Sequence, residues 1–201
     1  MPLAQGGFLR ITEDQNRAAG DFVELIASAL GTGRAIHPET AIASAARVSG
    51  SLLLRSFELD LETPEPGTVL LSNEANEKGP VLVGLLASFL ERNQIQVDPT
   101  KLGGAPEQRG QAPNLDAQGS LALLQEGALQ IVARHSLSLQ QAAEAAALAT
   151  GFIVKECAPS IGAETGFNIA AFGFIEGSKS VPPRLGKPIR ESPAKPWYRF
   201  W

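Results

Sequence analysis

Apolar residues in this chain return every three or four positions. Phe22, Leu25, Ile26, Ala29 and Leu30 fall at i, i+3, i+4, i+7 and i+8, and Leu82, Leu85, Leu86, Phe89 and Leu90 repeat those intervals. Only a helix, at 3.6 residues per turn, gathers such positions onto one face. Each face must be buried against another, which predicts a mainly α fold: a single-domain helical bundle of about five helices. The 201 residues (21.2 kDa) are enough chain for one real core.

Local signals place the helix ends. Thr12-Glu13-Asp14-Gln15 is a capping-box pattern, and Gly31 and Gly33 follow the first stripe, where glycine in the left-handed conformation commonly closes a helix. Pro38 suits the first turn of a second helix, with Glu39 at the positive end of its dipole and Ile42, Ala45, Ala46, Ser49, Leu53 and Phe57 on one face. Its alanines let a partner helix approach closely, so this helix is expected at the centre. Gly79-Pro80 reads as the opening of a third helix. Leu121, Leu124, Ala128, Ile131 and His135 mark a fourth, and Ser138-Leu139-Gln140-Gln141 caps a fifth that runs through Ala142, Ala146, Ala149, Ile153 and Cys157. The short link between the last two predicts a helical hairpin whose alanine surface is the principal core contact.

Other segments follow different rules. Phe57, Leu59 and Leu61 alternate with acidic residues before Pro64-Glu65-Pro66-Gly67 and Val69-Leu70-Leu71, a pattern open to a short β-hairpin or to a structured loop. Residues 98–118 are rich in Gly and Pro and predict a mobile connection inside one helical domain, 1–178. Residues 159–177 hold Gly and Phe without a clean period. Residues 179–201, with Pro182, Pro183, Pro188, Pro193 and Pro196, describe an extended basic arm ending in Trp197-Tyr198-Arg199-Phe200-Trp201.

The arm opposes the body in charge. Residues 1–178 carry 11 Lys+Arg against 20 Asp+Glu, whereas residues 179–201 carry 6 Lys+Arg against Glu191 alone. An acidic body argues against a nucleic-acid-binding surface, which needs clustered Lys and Arg. No apolar stretch reaches the roughly 20 residues of a membrane span. A single cysteine, Cys157, and a start without a basic and then apolar leader are read as cytoplasmic.

Motifs for chemistry are sparse. His37-Pro38-Glu39 lacks the P-C-x-x-C partner of zinc deaminases, so His37 reads as a residue at the start of a helix. His135 reads as a helix C-terminal imidazole favoured by the dipole, and Cys157 as a small core residue in preference to a Cys–His nucleophile pair. Gly173 to Ser180 has three residues between its glycines and a Ser before its Lys, so it fails as a phosphate loop. Neither cofactor nor metal is expected.

Two candidate sites remain. Asn73, Glu74, Asn76, Glu77 and Lys78 form the densest polar cluster and read as a loop between apolar helices, within reach of Arg47 and Arg55, which lie two turns apart on the second helix. Trp197, Tyr198, Arg199, Phe200 and Trp201 form a partner-binding candidate, since each large ring buries about 150–250 Å² when docked. The leading expectation is a non-enzymatic interaction or scaffold protein, self-associating or binding another protein through small-residue helix faces and this arm. The alternative is a helical enzyme or small-ligand protein with a polar pocket near residues 73–78.

Overall fold

Side-chain caps satisfy otherwise orphaned amides at the start of five of the six α-helices that form among the residues described by the computed structural model, 11–31, 36–57, 64–106 and 110–186. They are α1 (Glu13–Leu30), α2 (Pro38–Arg55), α3 (Asn73–Arg92), α4 (Ala117–Arg134), α5 (Leu139–Ile161) and α6 (Ala163–Lys179), with a 3₁₀ turn at Pro99–Lys101. Both capping boxes form as read: Thr12 accepts from the Gln15 amide, Ser138 from the Gln141 amide, and each glutamine returns to the cap amide.

The helix built on alanines is central. α2 packs along α6 on one side and α5 on another, and it is buried continuously from Thr40 to Leu54. α5 is sheathed in the same way: Ala142, Ala143, Ala145, Ala146, Ala147 and Ala149 are all buried, because α1, α2 and α3 take its different faces. A helix apolar all round belongs in the middle of a body. α1 and α4 pack together at one side and α3 sits against α5 and α6 at the other.

Several sequence expectations are corrected. The helical hairpin of α4 and α5 is not the principal contact: Ser136, in the left-handed region at φ 50°, turns the chain, and α4 packs on α1 and α2 instead of along α5. Gly31 caps α1 with φ −72°, so it ends the helix without the left-handed turn; Gly33 lies outside the described residues. α3 begins at Asn73, with the Ser72 hydroxyl accepting from the Ala75 amide, and Pro80 sits inside it. The cost of that proline is one missing amide for the Asn76 carbonyl, which the N-cap and the buried stripe outweigh.

The Gly/Phe segment without a period is the end of α5 plus a whole further helix. Gly162, at φ 86°, breaks the chain between the two with no side-chain cap. α6 then turns Gly166, Ala170, Gly173 and Gly177 to one face. A Cβ added at Gly177 would overlap the Arg47 backbone carbonyl, one at Gly173 would sit 2.9 Å from the Ala43 carbonyl, and one at Gly50 would overlap the Phe174 carbonyl. Backbone therefore meets backbone along this seam. Glycine is about 1 kcal/mol worse than alanine in a helix, so the seam draws its stability from close contact and not from propensity.

Of the expected hairpin, residues 58–63 lie outside the described residues. Val69 pairs with Ser180, a partner far along the chain: Leu70 N donates to Lys179 O (2.7 Å), Val181 N to Thr68 O (2.9 Å) and Gly67 N to Val181 O (2.8 Å).

Candidate functional site

The connection between α3 and α4 runs over α6 and α2 as a strap. Asp98 N donates to the Glu164 carboxylate, Gly103 N to Asn168 Oδ1, Gln111 Nε2 to Thr165 Oγ1 and Asn114 N to Thr40 Oγ1. Glu164 is held below the ordinary carboxylate range by its own and the Asp98 amides, with Lys101 nearby. Prolines suit such a strap, since they bring no amide needing a partner.

Beneath the strap lies Arg47, a charged side chain only 3% exposed. Its neighbours along α2 are alanines and serines, which leave room for a long side chain to lie flat. Arg47 Nε donates to Glu176 Oε2 on α6 (2.7 Å), and Nη1 donates to Leu115 O of the strap (2.6 Å) and to Ser120 Oγ on α4 (3.1 Å). Ser120 also donates to Asp116 O and meets Ser44 Oγ at 3.0 Å. One guanidinium thus joins α2, α4, α6 and the strap. A buried charge is tolerable only when so paired and bonded. Beside it opens a cavity of about 210 Å³ lined by Ala43, Arg47, Pro106, Pro113, Ile169, Phe172 and Glu176. Two buried polar atoms, Asn168 Nδ2 on α6 and Gln111 Oε1 on the strap, have no hydrogen-bond partner among the described residues.

The residues singled out by sequence do not converge. Arg47 takes Glu176 as its carboxylate. Arg55, at the end of α2, donates to Gln125 Oε1 on α4 (2.9 Å), and burial lowers its guanidinium pKa. Asn73, Glu74, Asn76, Glu77 and Lys78 are not a loop but the first turns of α3. Glu74 and Glu77 face solvent there, Asn76 Oδ1 accepts from Lys179 Nζ (2.9 Å), and Lys78 Nζ lies 5.4 Å from the centre of the Phe57 ring. The arm residues Trp197, Tyr198, Arg199, Phe200 and Trp201 lie outside the described residues.

Glu176, Ile169 and Phe172 were not read as site residues and residues 98–118 only as a mobile connection, yet Gly173-x-x-x-Gly177 carried a signal. That spacing puts two glycines on one helix face, and whatever packs on it reaches Glu176.

The histidines and the cysteine have local roles. His37 is the N-cap of α2, its Nδ1 facing the Thr40 amide and hydroxyl. His135 caps α4 and its Nε2 lies 2.9 Å from Asp21 Oδ2 on α1, which also accepts from Arg134 (2.8 Å). Cys157 is half-buried, and burial, then Glu39 and Glu156, push its thiol pKa up, away from a reactive thiolate.

A second feature is the extended segment that an isolated bridge joins to Ser180 at Val69. Val69 and Leu71 are 65% and 85% exposed, and Ile175, one turn before Lys179 on α6, is 51% exposed. The chain leaving this pairing is strapped to α4, where Gln118 Nε2 donates to Val181 O and Gln125 Nε2 to Pro183 O, while Arg184 lies 3.6 Å from Glu65.

Among the described residues no helix is long and apolar enough to cross a membrane, and no three His, Cys, Asp or Glu side chains cluster as metal ligands. No family model, no curated protein and no solved structure matches the chain.

Proposed function

We propose that this is a non-enzymatic, self-associating interaction protein of the cytoplasm, in which the basic aromatic arm of a second copy docks along the Val69–Leu71 edge. The observation that carries this reading is the exposure of Val69 and Leu71, 65% and 85%, on an extended segment bridged to Ser180 at the root of the arm. Isolated exposed apolar residues are ordinary, but a short extended edge offering two on the same side is the kind of surface that takes up an extended peptide. Glu65, Glu74 and Glu77, within six residues of it along the chain, are exposed. The 179–201 segment brings Lys195 and Arg199 together with Trp197, Phe200 and Trp201, rings for the exposed apolar residues and charges for these carboxylates.

Light scattering coupled to size exclusion tests the reading on the full chain, a 1–186 truncation and Leu71→Asp. The expected result is a dimer or larger species for the full chain and monomers for the other two. A full-length monomer at high micromolar concentration, or an oligomer indifferent to both changes, overturns it.

A further inference from the structure

We propose that the cleft between α2, α6 and the strap binds a small zwitterion of the α-amino-acid class, its carboxylate on Arg47 and its ammonium on Glu176. Arg47 and Glu176 already neutralise one another at 2.7 Å. A lone anion placed here gains Arg47 but is repelled by Glu176, and a lone cation meets the reverse. Both would be drawn out of water for a cancelled attraction. A molecule carrying both charges a few ångströms apart adds no net charge and pairs with both residues.

The free valences fit. Among the described residues, the bonds of Arg47 use Nε and Nη1 and leave Nη2, while Glu176 binds through Oε2 and leaves Oε1; its side chain is 37% exposed and so reachable from solvent. The bonds to Leu115 O and Ser120 Oγ fix the guanidinium plane before any ligand arrives, which removes an ordering cost from binding. Among the described residues, the other lining side chains, including Pro106, Pro113, Ile169 and Phe172, are apolar and bring no competing donors. A cavity of about 210 Å³ is smaller than the roughly 300–1,000 Å³ of sites for drug-sized ligands. The ligand is accordingly an amino acid with a short apolar side chain, resting on Phe172 and Ile169. This site is independent of the self-association proposed above, and either can fail alone.

The test is an NMR titration of the full-length protein with glycine, L-alanine and L-valine, and with acetate and methylammonium as single-charge controls. Saturable shifts confined to signals of Ala43, Arg47, Ile169 and Phe172 are expected with L-alanine or L-valine and not with the controls. Glu176→Gln should weaken binding at least about tenfold, the scale of a lost charge-assisted hydrogen bond. If that variant does not fold, Phe172→Trp, which fills the cleft without touching the ion pair, should give the same loss. Absence of saturable shifts with every amino acid, equal shifts with acetate, or undiminished binding in the folded variants would overturn the proposal.

Discussion

Two seams hold this bundle together by opposite means. Where α3 meets α5, large side chains do the filling: Leu82, Leu86 and Leu90 are buried, and the Phe89 ring lies against Gly151. Where α2 meets α6, Gly50, Gly173 and Gly177 bring the two backbones into direct contact. The first seam can adjust, because a ring can swing. The second cannot, because what a new Cβ would strike is backbone, and main chain yields only if a whole helix moves. The rigid seam also sets the distance between Arg47 and Glu176, so it fixes the geometry of the cleft.

The sharpest way to break this contrast is Gly177→Ala. Its methyl would overlap the Arg47 carbonyl, and we expect destabilisation by more than about 3 kcal/mol, or failure to fold, on chemical denaturation. Tolerance within about 1 kcal/mol would mean that the seam adjusts as the other does.

A smaller effect is expected where α1 joins α4. Asp21 is held below its ordinary value of 3.8 chiefly by the hydrogen bond from His135, with burial opposing and Arg134 assisting. A carboxyl depressed in the folded state stabilises fully above its unfolded pKa, and the contribution disappears as pH falls through the folded value. Asp21→Asn should therefore cost about 0.5–1 kcal/mol near neutral pH, the size of a partly exposed ion pair. The difference from the parent protein should close between about pH 5 and pH 2; a gap that stays constant down to the acid limit would show that the carboxylate charge is not what joins these helices.

Smallest is a gain within α2. Ser51 Oγ is buried and has no partner among the described residues, so Ser51→Ala removes an orphaned hydroxyl and improves helix propensity. Denaturation should show a stabilisation of about 1 kcal/mol. A loss would point to a polar partner for that hydroxyl.

Most of the helices were legible because their stripes are made of large apolar residues and their starts of Thr12, Pro38 and Ser138. α6 was not, since its packing face carries Gly166, Gly173 and Gly177, which mark no apolar period and are poor helix formers. The start of α3 was obscured by Pro80: a proline at the first turn and one inside the helix look alike until the Ser72 cap is weighed against it. For the site, Arg47 was visible as a candidate, but it was grouped with Arg55 and the polar cluster at 73–78, whose carboxylates are not the one it meets. Which carboxylate it meets is decided by how α6 lies on α2, and that depends on the glycines whose meaning was hidden.

One paired measurement addresses the core of this account: the unfolding free energies of Gly50→Ala and Gly84→Ala. Both replace a glycine inside a helix, and alanine favours each helix by about 1 kcal/mol. Gly84 has nothing within 4 Å of an added Cβ, whereas at Gly50 the Cβ would overlap the Phe174 carbonyl and sit 2.7 Å from the Ser178 amide nitrogen. We expect opposite signs, with Gly84→Ala more stable than the parent and Gly50→Ala less stable by several kcal/mol. Two changes of the same sign and similar size would contradict a backbone-to-backbone seam between α2 and α6.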